Sequence, residues 1–396
     1  MNRFPKTLVL SRSIPPAPTG TGVIMGNLAR QFCPDEMVVL GAYYVGRPPV
    51  QWRDDWATLK YATVHPPDGW RGARWIRWGQ LPWLLVYAWW ILVTRRCPSI
   101  LAVYPDEIYL LAGYILSRLT GTPLYAYFHN TFLEDHRDSP LAHFLQPRVF
   151  ARARHVFVMS EGMHKLYEKN YPGLRCSPLV HSFNEPLPEP GDVTSLPVHQ
   201  PLRLALFGSI NRSNAEAAVR IAKLVQTTPD VHLTVLSGTS RGYLHKLGFV
   251  GNRIEIETVS RDILIERLSQ ADITLLPHGF EGPVADEEIA TIFPTKTIEA
   301  LISQRPILAH VPANCFLAEF LRRHDCALIV DEPDVEAARQ AVNRLRQDGN
   351  LRVHLVRQAL IAARQFQAST VAEHLREVIQ EGVLAIAAVE PTMTNR

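Results

Sequence analysis

Short runs of aliphatic and β-branched residues alternate with longer amphipathic stretches along the chain. In the first half, runs of this kind predict strands at Thr7–Leu10, Val38–Gly41, Ile100–Val103, Leu124–Phe128 and Val156–Met159. The stretches between them predict helices near Gly22–Gln31, Asp106–Leu119, Leu141–Ala153 and Glu161–Asn170. Because such alternation is typical of a parallel sheet covered by helices on both faces, the first half is predicted to be a doubly wound α/β domain.

The alternation restarts after a proline-rich stretch. Strands are predicted at Leu202–Phe207, Val231–Leu236, Ile254–Ile256, Ile273–Leu276, Pro306–Ala309 and Ala327–Val330. Helices are predicted near Ser213–Gln226, Arg261–Gln270, Thr295–Ser303 and Phe316–Arg323. A second doubly wound domain therefore follows the first.

Domain boundaries follow from the prolines. Residues 187–201 carry little apolar content and several prolines, so they are predicted to form a stiff extended linker. It separates a first domain, residues 1–186, from a second, residues 202–369. Residues 370–396 are predicted to form a terminal helix that packs back towards the first domain, and a tail.

Composition excludes several classes. The chain has 396 residues, and 41 Lys and Arg against 38 Asp and Glu give a formal net charge of +3, so a nucleic-acid partner is not expected. Five cysteines without C-x-x-C spacing are typical of reduced thiols, which predicts a cytoplasmic protein. The apolar part of the first twelve residues is too short for a secretory signal.

A glycine-rich segment follows the first predicted strand. Gly20 and Gly22 open the next helix, where glycines let backbone amides approach a phosphate or an acceptor. The spacing up to Gly26 is one residue too long for the dinucleotide fingerprint, and no acid ends the second strand, so a dehydrogenase is not expected. Anion binding and a merely tight turn remain equal readings.

The strongest chemical signal is a helix start in the second half. Pro294 and Thr295 suit its first positions, and Lys296 adds a positive charge at the same end. Glu299 follows one turn later, where a carboxylate can accept hydrogen bonds from vicinal hydroxyls such as those of a ribose. A nucleoside diphosphate fits this set, and an ordinary i,i+3 surface pair of Lys296 and Glu299 is the less favoured alternative.

These residues resemble a known family, the retaining family-four (group 1) glycosyltransferases of the GT-B fold. The resemblance is carried by Phe293–Leu301 with the strand at Arg305–Leu308, by Ala271–Pro277, and by Val156–Met163. It implies two doubly wound Rossmann-like domains facing a central cleft. The second would bind the sugar nucleotide and the first the acceptor.

The resemblance also assigns roles to single residues. Glu299 corresponds to the second Glu of an E-x7-E motif, which holds the ribose, and His129 to a histidine that hydrogen-bonds at the reacting sugar. Gly208 matches a Gly-Arg loop that binds the donor diphosphate. Arg212 lies a few positions from the usual arginine, so it is a phosphate clamp or a plain helix-entry charge.

One position departs from the pattern. Thr291 stands eight residues before Glu299, where relatives carry the carboxylate that contacts the donor sugar. Glu287 and Glu288, in the predicted loop Glu281–Ala290, are the candidates to replace it. No D-x-D or zinc-ligand spacing occurs, so no metal and no cofactor are expected, and the helix dipole with basic side chains would neutralise the leaving group.

Tryptophan is unevenly distributed. All eight lie within Trp52–Trp90, and several arginines are interleaved with them. Such a segment suits a membrane interface or a lipid-linked acceptor, and equally a bulky core helix with a packed loop. The apolar run Leu81–Val93 is too short to span a bilayer.

The predicted function is transfer of a sugar from a nucleoside-diphosphate sugar to an acceptor hydroxyl, with retention, in polysaccharide, glycolipid or glycoside biosynthesis. The acceptor is a sugar, a lipid-linked molecule or a small molecule, and the expected location is the cytoplasm with peripheral attachment to the inner face of the membrane. Two alternatives remain open: a nonhydrolysing sugar-nucleotide 2-epimerase, and a non-catalytic GT-B protein that binds a nucleotide or sugar.

Overall fold

The computed structural model describes residues 4–17, 19–45, 51–66, 72–280 and 285–389. The chain divides into two compact units. The first comprises Met1–Asn184 together with Phe366–Arg396, and the second comprises Glu185–Gln365.

The first unit is built on a seven-stranded sheet in which every pairing is parallel. Its strands are β1 Thr7–Leu10, β2 Met37–Tyr44, β3 Thr58–His65, β4 Ser99–Tyr104, β5 Leu124–Phe128, β6 Ala153–Val158 and β7 Cys176–Pro178. Its first six helices are α1 Gly20–Ala29, α2 Ala73–Gly79, α3 Leu81–Thr94, α4 Glu107–Thr120, α5 Pro140–Arg152 and α6 Glu161–Asn170. The strand order is β3-β2-β1-β4-β5-β6-β7, so the chain reverses its direction of travel across the sheet between β1 and β4.

The second unit repeats this plan with a six-stranded parallel sheet. Its strands are β8 Leu202–Phe207, β9 Val231–Leu236, β10 Ile254–Glu257, β11 Ile273–Pro277, β12 Ile307–His310 and β13 Leu328–Val330. Its helices are α7 Ala215–Thr227, α8 Arg241–Lys246, α9 Arg261–Ser269, α10 Asp286–Thr291, α11 Lys296–Ile302, α12 Phe316–Arg323, α13 Val335–Gln347 and α14 Gly349–Ala363. The order β10-β9-β8-β11-β12-β13 places the reversal between β8 and β11.

The burial of the central strands explains why the fold class could be predicted from the sequence. Strands β1, β4, β5 and β11 are buried along their whole length, as expected for strands with helices on both faces. The predicted fold class, two doubly wound Rossmann-like domains, is confirmed. Strands β3 and β7 and helix α8 were not predicted, and residues 286–290 of the predicted acidic loop instead belong to α10.

The last helix, α15 Ala368–Val389, belongs to the first unit. Val371, Ala372, Leu375 and Ile379 are buried in the hydrophobic core of that unit. The hydroxyl of Tyr125, on β5, donates a hydrogen bond to the Ile379 carbonyl at 3.1 Å. This helix therefore covers one face of the first sheet.

The proline-rich residues 187–201 lie in the second unit. Val193 is buried in a small apolar cluster with Val356 and Leu360 of α14. The Arg357 side chain donates to the Val193 carbonyl at 2.9 Å, and Arg352 donates to the Leu196 carbonyl at 2.9 Å. This segment is thus held against α14 by apolar contacts and by hydrogen bonds to its backbone.

We predict that Gly382→Ala destabilises the first unit. A Cβ at this position would lie 2.0 Å from the Tyr125 hydroxyl oxygen, so either α15 or the buried Tyr125 ring must shift. Overpacking of this kind costs about 1–3 kcal/mol, which is measured as a fall in the free energy of urea unfolding. Gly79→Ala is the matched control, because a Cβ there meets nothing within 4 Å; an equal effect of both changes would contradict the docking of α15.

Candidate functional site

The candidate donor site lies at the carboxyl edge of the second sheet. Gly208 follows β8 and His278 follows β11, and these two strands are hydrogen-bonded neighbours. Helix α11 begins at the same edge with Lys296. Ligands of open α/β sheets bind where the strand order reverses, and in this sheet the reversal lies between β8 and β11.

Gly208 and Lys296 are in contact. Gly208 has φ +77°, a conformation that favours glycine, and a Cβ built on it would lie 3.7 Å from Cδ of Lys296. The aliphatic stem of the lysine therefore lies over the glycine. The structure thus brings together two residues that are 88 positions apart (296 − 208) in the sequence.

The charge of Lys296 is poorly compensated. Burial lowers the pKa of its ammonium group to about 8, and nearby Glu299 only partly opposes this shift. Withdrawal from water disfavours the charged form of a lysine unless an anion lies close to it. An anionic ligand at this point would stabilise the ammonium group.

Glu299 is 7% exposed and lies on the buried side of α11. Its Oε1 accepts a hydrogen bond from the Arg261 guanidinium at 2.9 Å, whereas its Oε2 is buried and has no hydrogen-bond partner. Burial raises the pKa of this carboxyl group, and Arg261 opposes the shift. One oxygen is therefore held by the protein, and the other can accept a hydrogen bond from a ligand hydroxyl.

His278 is a buried residue that the sequence analysis did not select. Its Nε2 has no hydrogen-bond partner, and burial together with the adjacent Lys296 lowers its pKa to about 4. The imidazole is therefore neutral at pH 7. The one available signal was its position directly after the buried strand β11, where residues of α/β sheets meet ligands.

The start of α11 differs in detail from the prediction. Thr295 occupies the N-cap position, but its side chain makes no capping hydrogen bond. The amide of Thr297 donates to the Pro294 carbonyl at 2.9 Å, and the amide of Ile298 donates to the Thr295 carbonyl at 3.1 Å. These two amides are used within the turn, so the side chains of this helix carry more of the site than its backbone does.

The other predicted donor residues lie in two segments. Arg212 is exposed in the turn between β8 and α7. Glu287 and Glu288 lie on α10, where Glu288 is buried. The Thr291 hydroxyl donates to the Glu287 carbonyl at 2.7 Å, so the threonine proton is used to close this short helix.

In the first unit the structure joins two separate predictions. His129 follows β5 and is 8% exposed, and its Nδ1 lies 3.1 Å from the Thr21 hydroxyl, between the two glycines of the predicted loop. Its Nε2 has no partner, and burial, together with nearby His181, lowers its pKa to about 3. His129 is therefore neutral at pH 7, and its Nε2 is left for a ligand or a water molecule.

Gly22 has a packing role. Its amide donates to the Thr19 side chain at 3.0 Å, and a Cβ on Gly22 would lie 2.5 Å from the Ala17 carbonyl oxygen. Gly20 is the exposed first residue of α1. At Gly22 the contacts favour the tight-turn reading over phosphate binding, because its amide already has a partner.

A charged cluster beside the first sheet's reversal point was also not anticipated. Asp106, directly before α4, accepts from Arg12 at 3.2 Å and from Arg77 at 2.8 Å. Its other oxygen caps α4 by accepting from the amides of Ile108 and Tyr109. Residues 65 positions apart in sequence (77 − 12) are involved, so no local motif could have revealed the cluster.

The described ranges hold neither a metal-ligand cluster nor a membrane-spanning helix. In these ranges, no three His, Cys, Asp or Glu side chains are grouped closely enough to hold a metal ion. Within the same part of the chain, every helix is too short or too polar to cross a membrane.

Comparison with solved structures shows the fold. The chain is similar to sucrose-phosphate synthase from Thermosynechococcus elongatus, with a TM-score of 0.74 and 14% identity over 97% of this chain and 100% of that chain. It is similar to Anabaena HepE in complex with UDP and glucose, with a TM-score of 0.68 and 14% identity over 95% of this chain and 99% of that chain. For the α,α-trehalose-phosphate synthase from Burkholderia xenovorans the TM-score is 0.64, with 12% identity over 95% of this chain and 100% of that chain.

These likenesses extend over nearly the whole chain, and they show that it has the two Rossmann-like domains of the GT-B fold. No protein-family model matches the sequence, and no curated protein matches it.

We predict that Lys296→Met raises the free energy of unfolding at pH 7. A lysine whose pKa is lower in the folded protein than in the unfolded chain costs stability when it is charged, and below pH 8 it is charged. Removing a poorly compensated, half-buried charge should stabilise the fold by about 1 kcal/mol, measured by urea unfolding. Lys223→Met, at an exposed position of α7, should have little effect; a destabilised Lys296→Met would contradict this electrostatic description.

Proposed function

We propose that this protein transfers a glycosyl group from a nucleoside-diphosphate sugar to an acceptor hydroxyl. The observation that carries the proposal is the pairing, on α11, of a poorly compensated ammonium group, Lys296, with a buried carboxylate oxygen of Glu299 that has no partner. A diphosphate supplies the anion and a ribose supplies the hydroxyl. HepE, one of the similar structures, is described in complexes with UDP-glucose and with UDP.

The proposed roles follow from the chemistry of each group. Lys296 would bind the diphosphate and stabilise its developing charge as the sugar departs, with Arg212 as a second phosphate contact. Glu299 Oε2 would accept hydrogen bonds from the ribose, while Arg261 holds Oε1 in place. Gly208 leaves room beside the lysine stem for a phosphate oxygen.

The first unit is proposed to bind the acceptor. His129 Nε2, neutral and without a partner, would hydrogen-bond at the reacting sugar. Glu287 and Glu288 remain proposed sugar contacts. No side-chain nucleophile is invoked, since in retaining front-face transfer the leaving phosphate assists deprotonation of the acceptor. We propose retention because the sequence resembles the retaining family, and independence from metal ions because the sequence has no D-x-D motif.

The acceptor is proposed to be presented at the inner face of a membrane. Support comes from the segment between Gly72 and Pro98, which contains no Asp or Glu and has exposed arginines at both ends. A lipid-linked sugar is the acceptor class that this setting favours.

Two alternatives use the same donor site. A 2-epimerase would isomerise the donor without an acceptor, and a non-catalytic protein would bind the donor without turnover. Thr291, in place of a carboxylate, is the feature that favours the second alternative.

The test is an assay with a panel of labelled sugar nucleotides and acceptors. We expect release of nucleoside diphosphate with formation of a glycosylated product, and we expect Lys296→Ala and Glu299→Gln each to reduce turnover at least a hundredfold. The loss reflects removal of an interaction with the leaving group or with the ribose, measured as kcat/KM.

Lys223→Ala, which removes an exposed lysine of the same unit, is the control and should retain wild-type turnover. An isomerised donor would identify an epimerase, and binding without turnover a non-catalytic protein. Turnover within a factor of two of wild type in both site variants would overturn the assignment of α11.

A further inference from the structure

Helix α3 is apolar on two opposite faces. One face, with Leu84, Ala88, Ile91 and Leu92, is buried in the core of the first unit. The opposite face consists of large apolar side chains that are each between 50% and 59% exposed: Trp83, Val86, Trp89, Trp90 and Val93. A surface helix ordinarily carries polar residues on its outer face, so this second apolar face requires an explanation.

The exposed residues form one continuous surface. At 100° per residue they fall within one sector of the helix, away from the buried face. The rings of Trp83 and Tyr87 are stacked at 6.0 Å, and those of Tyr87 and Trp90 at 5.7 Å. The preceding helix α2 carries a further exposed tryptophan, Trp75, which is 80% exposed. We call the surface formed by Trp83, Val86, Trp89, Trp90 and Val93 the aromatic face.

The charged residues of the segment from Gly72 to Pro98 have one sign. Arg74 precedes Trp75, Arg95 and Arg96 follow α3, and all three are exposed. No acidic residue occurs between Gly72 and Pro98. The fourth arginine of this segment, Arg77, is already paired with Asp106. A partner with an apolar body and an anionic surface is therefore complementary to this region.

Other tryptophans do not belong to it. Trp52 donates through its indole N–H to the Ala57 carbonyl at 2.8 Å, Trp56 packs edge-on against it, and Trp78 packs against the core. Trp70 lies outside the described residues. The uneven distribution of tryptophan thus has two causes, a packed loop and an exposed helix face, and only the second needs a partner.

We propose that the aromatic face docks on an anionic lipid surface, with α3 lying in the plane of the interface. Fourteen residues at about 1.5 Å each give a helix well short of a hydrocarbon core about 30 Å thick, so insertion to the depth of the side chains is the mode that fits. Tryptophan rings favour the headgroup level, and arginines beside them attract anionic headgroups. Docking on lipid does not itself depend on the proposed function. Only the suggestion that the acceptor is presented at this lipid surface rests on it.

The experiment is flotation of the full-length protein with vesicles of phosphatidylcholine containing 30% phosphatidylglycerol, compared with vesicles of phosphatidylcholine alone. We expect binding to the anionic vesicles that weakens as salt is raised. The double variant Trp83→Ala, Trp90→Ala should bind at least tenfold more weakly, because it removes two inserted rings. Arg95→Gln with Arg96→Gln should lose about tenfold on anionic vesicles alone.

Phe144→Ala with Ile361→Ala is the matched control, because it removes two exposed apolar side chains elsewhere and should bind as wild type does. Absence of wild-type binding, or equal binding by the tryptophan variant, would overturn the proposal. A wild-type dimer that the tryptophan variant converts to a monomer would show instead that the face contacts a second copy. UDP-glucose binding, measured in parallel, tests the proposed function separately, since the tryptophan variant should retain it.

Discussion

One electrostatic constraint underlies the candidate donor site: the ammonium group of the half-buried Lys296 is partly withdrawn from water without full compensation. Lys296 lies across Gly208 and beside the neutral His278, and the nearest carboxylate, Glu299, is itself engaged by Arg261. A folded chain that retains such a charge is most stable when an anion binds there, because the ligand repays the cost of desolvation. Binding of an anion at this residue would therefore raise the stability of the folded chain.

Each unit has a buried histidine with an unpartnered Nε2 directly after a central buried strand: His129 after β5 in the first unit and His278 after β11 in the second. Parallel strands buried on both faces can offer polar side chains to a ligand only at their ends. The two units nevertheless differ in charge, since the second carries Lys296, whereas His129 is neutral and lies against Thr21. This difference agrees with a donor and an acceptor of different chemistry.

The central strands were predictable because short apolar runs such as Leu124–Phe128, rich in aromatic or β-branched residues, are typical of buried strands. Edge strand β3 was missed because its half-exposed residues mix polar and apolar types, and α10 because its acidic turn looks like a loop. Within the site, Lys296 and Glu299 could be selected from their spacing on one helix. The pairing of Glu299 with Arg261 and the contact of Lys296 with Gly208 could not be predicted, since both depend on how distant segments pack. For the tryptophan segment, only the exposed fraction of each side chain distinguishes residues packed in the core from residues on the surface.

The most direct test of the central claim is calorimetric titration of UDP into wild type and Lys296→Met between pH 6.5 and pH 9. Because burial lowers the lysine pKa to about 8, the ammonium charge is lost across this range. We expect the affinity of the wild type for UDP to fall by about tenfold as the pH rises through 8. The Lys296→Met variant should bind UDP weakly, and its affinity should not show this fall. Wild type that binds no UDP, or a variant with the affinity and pH profile of wild type, would contradict it.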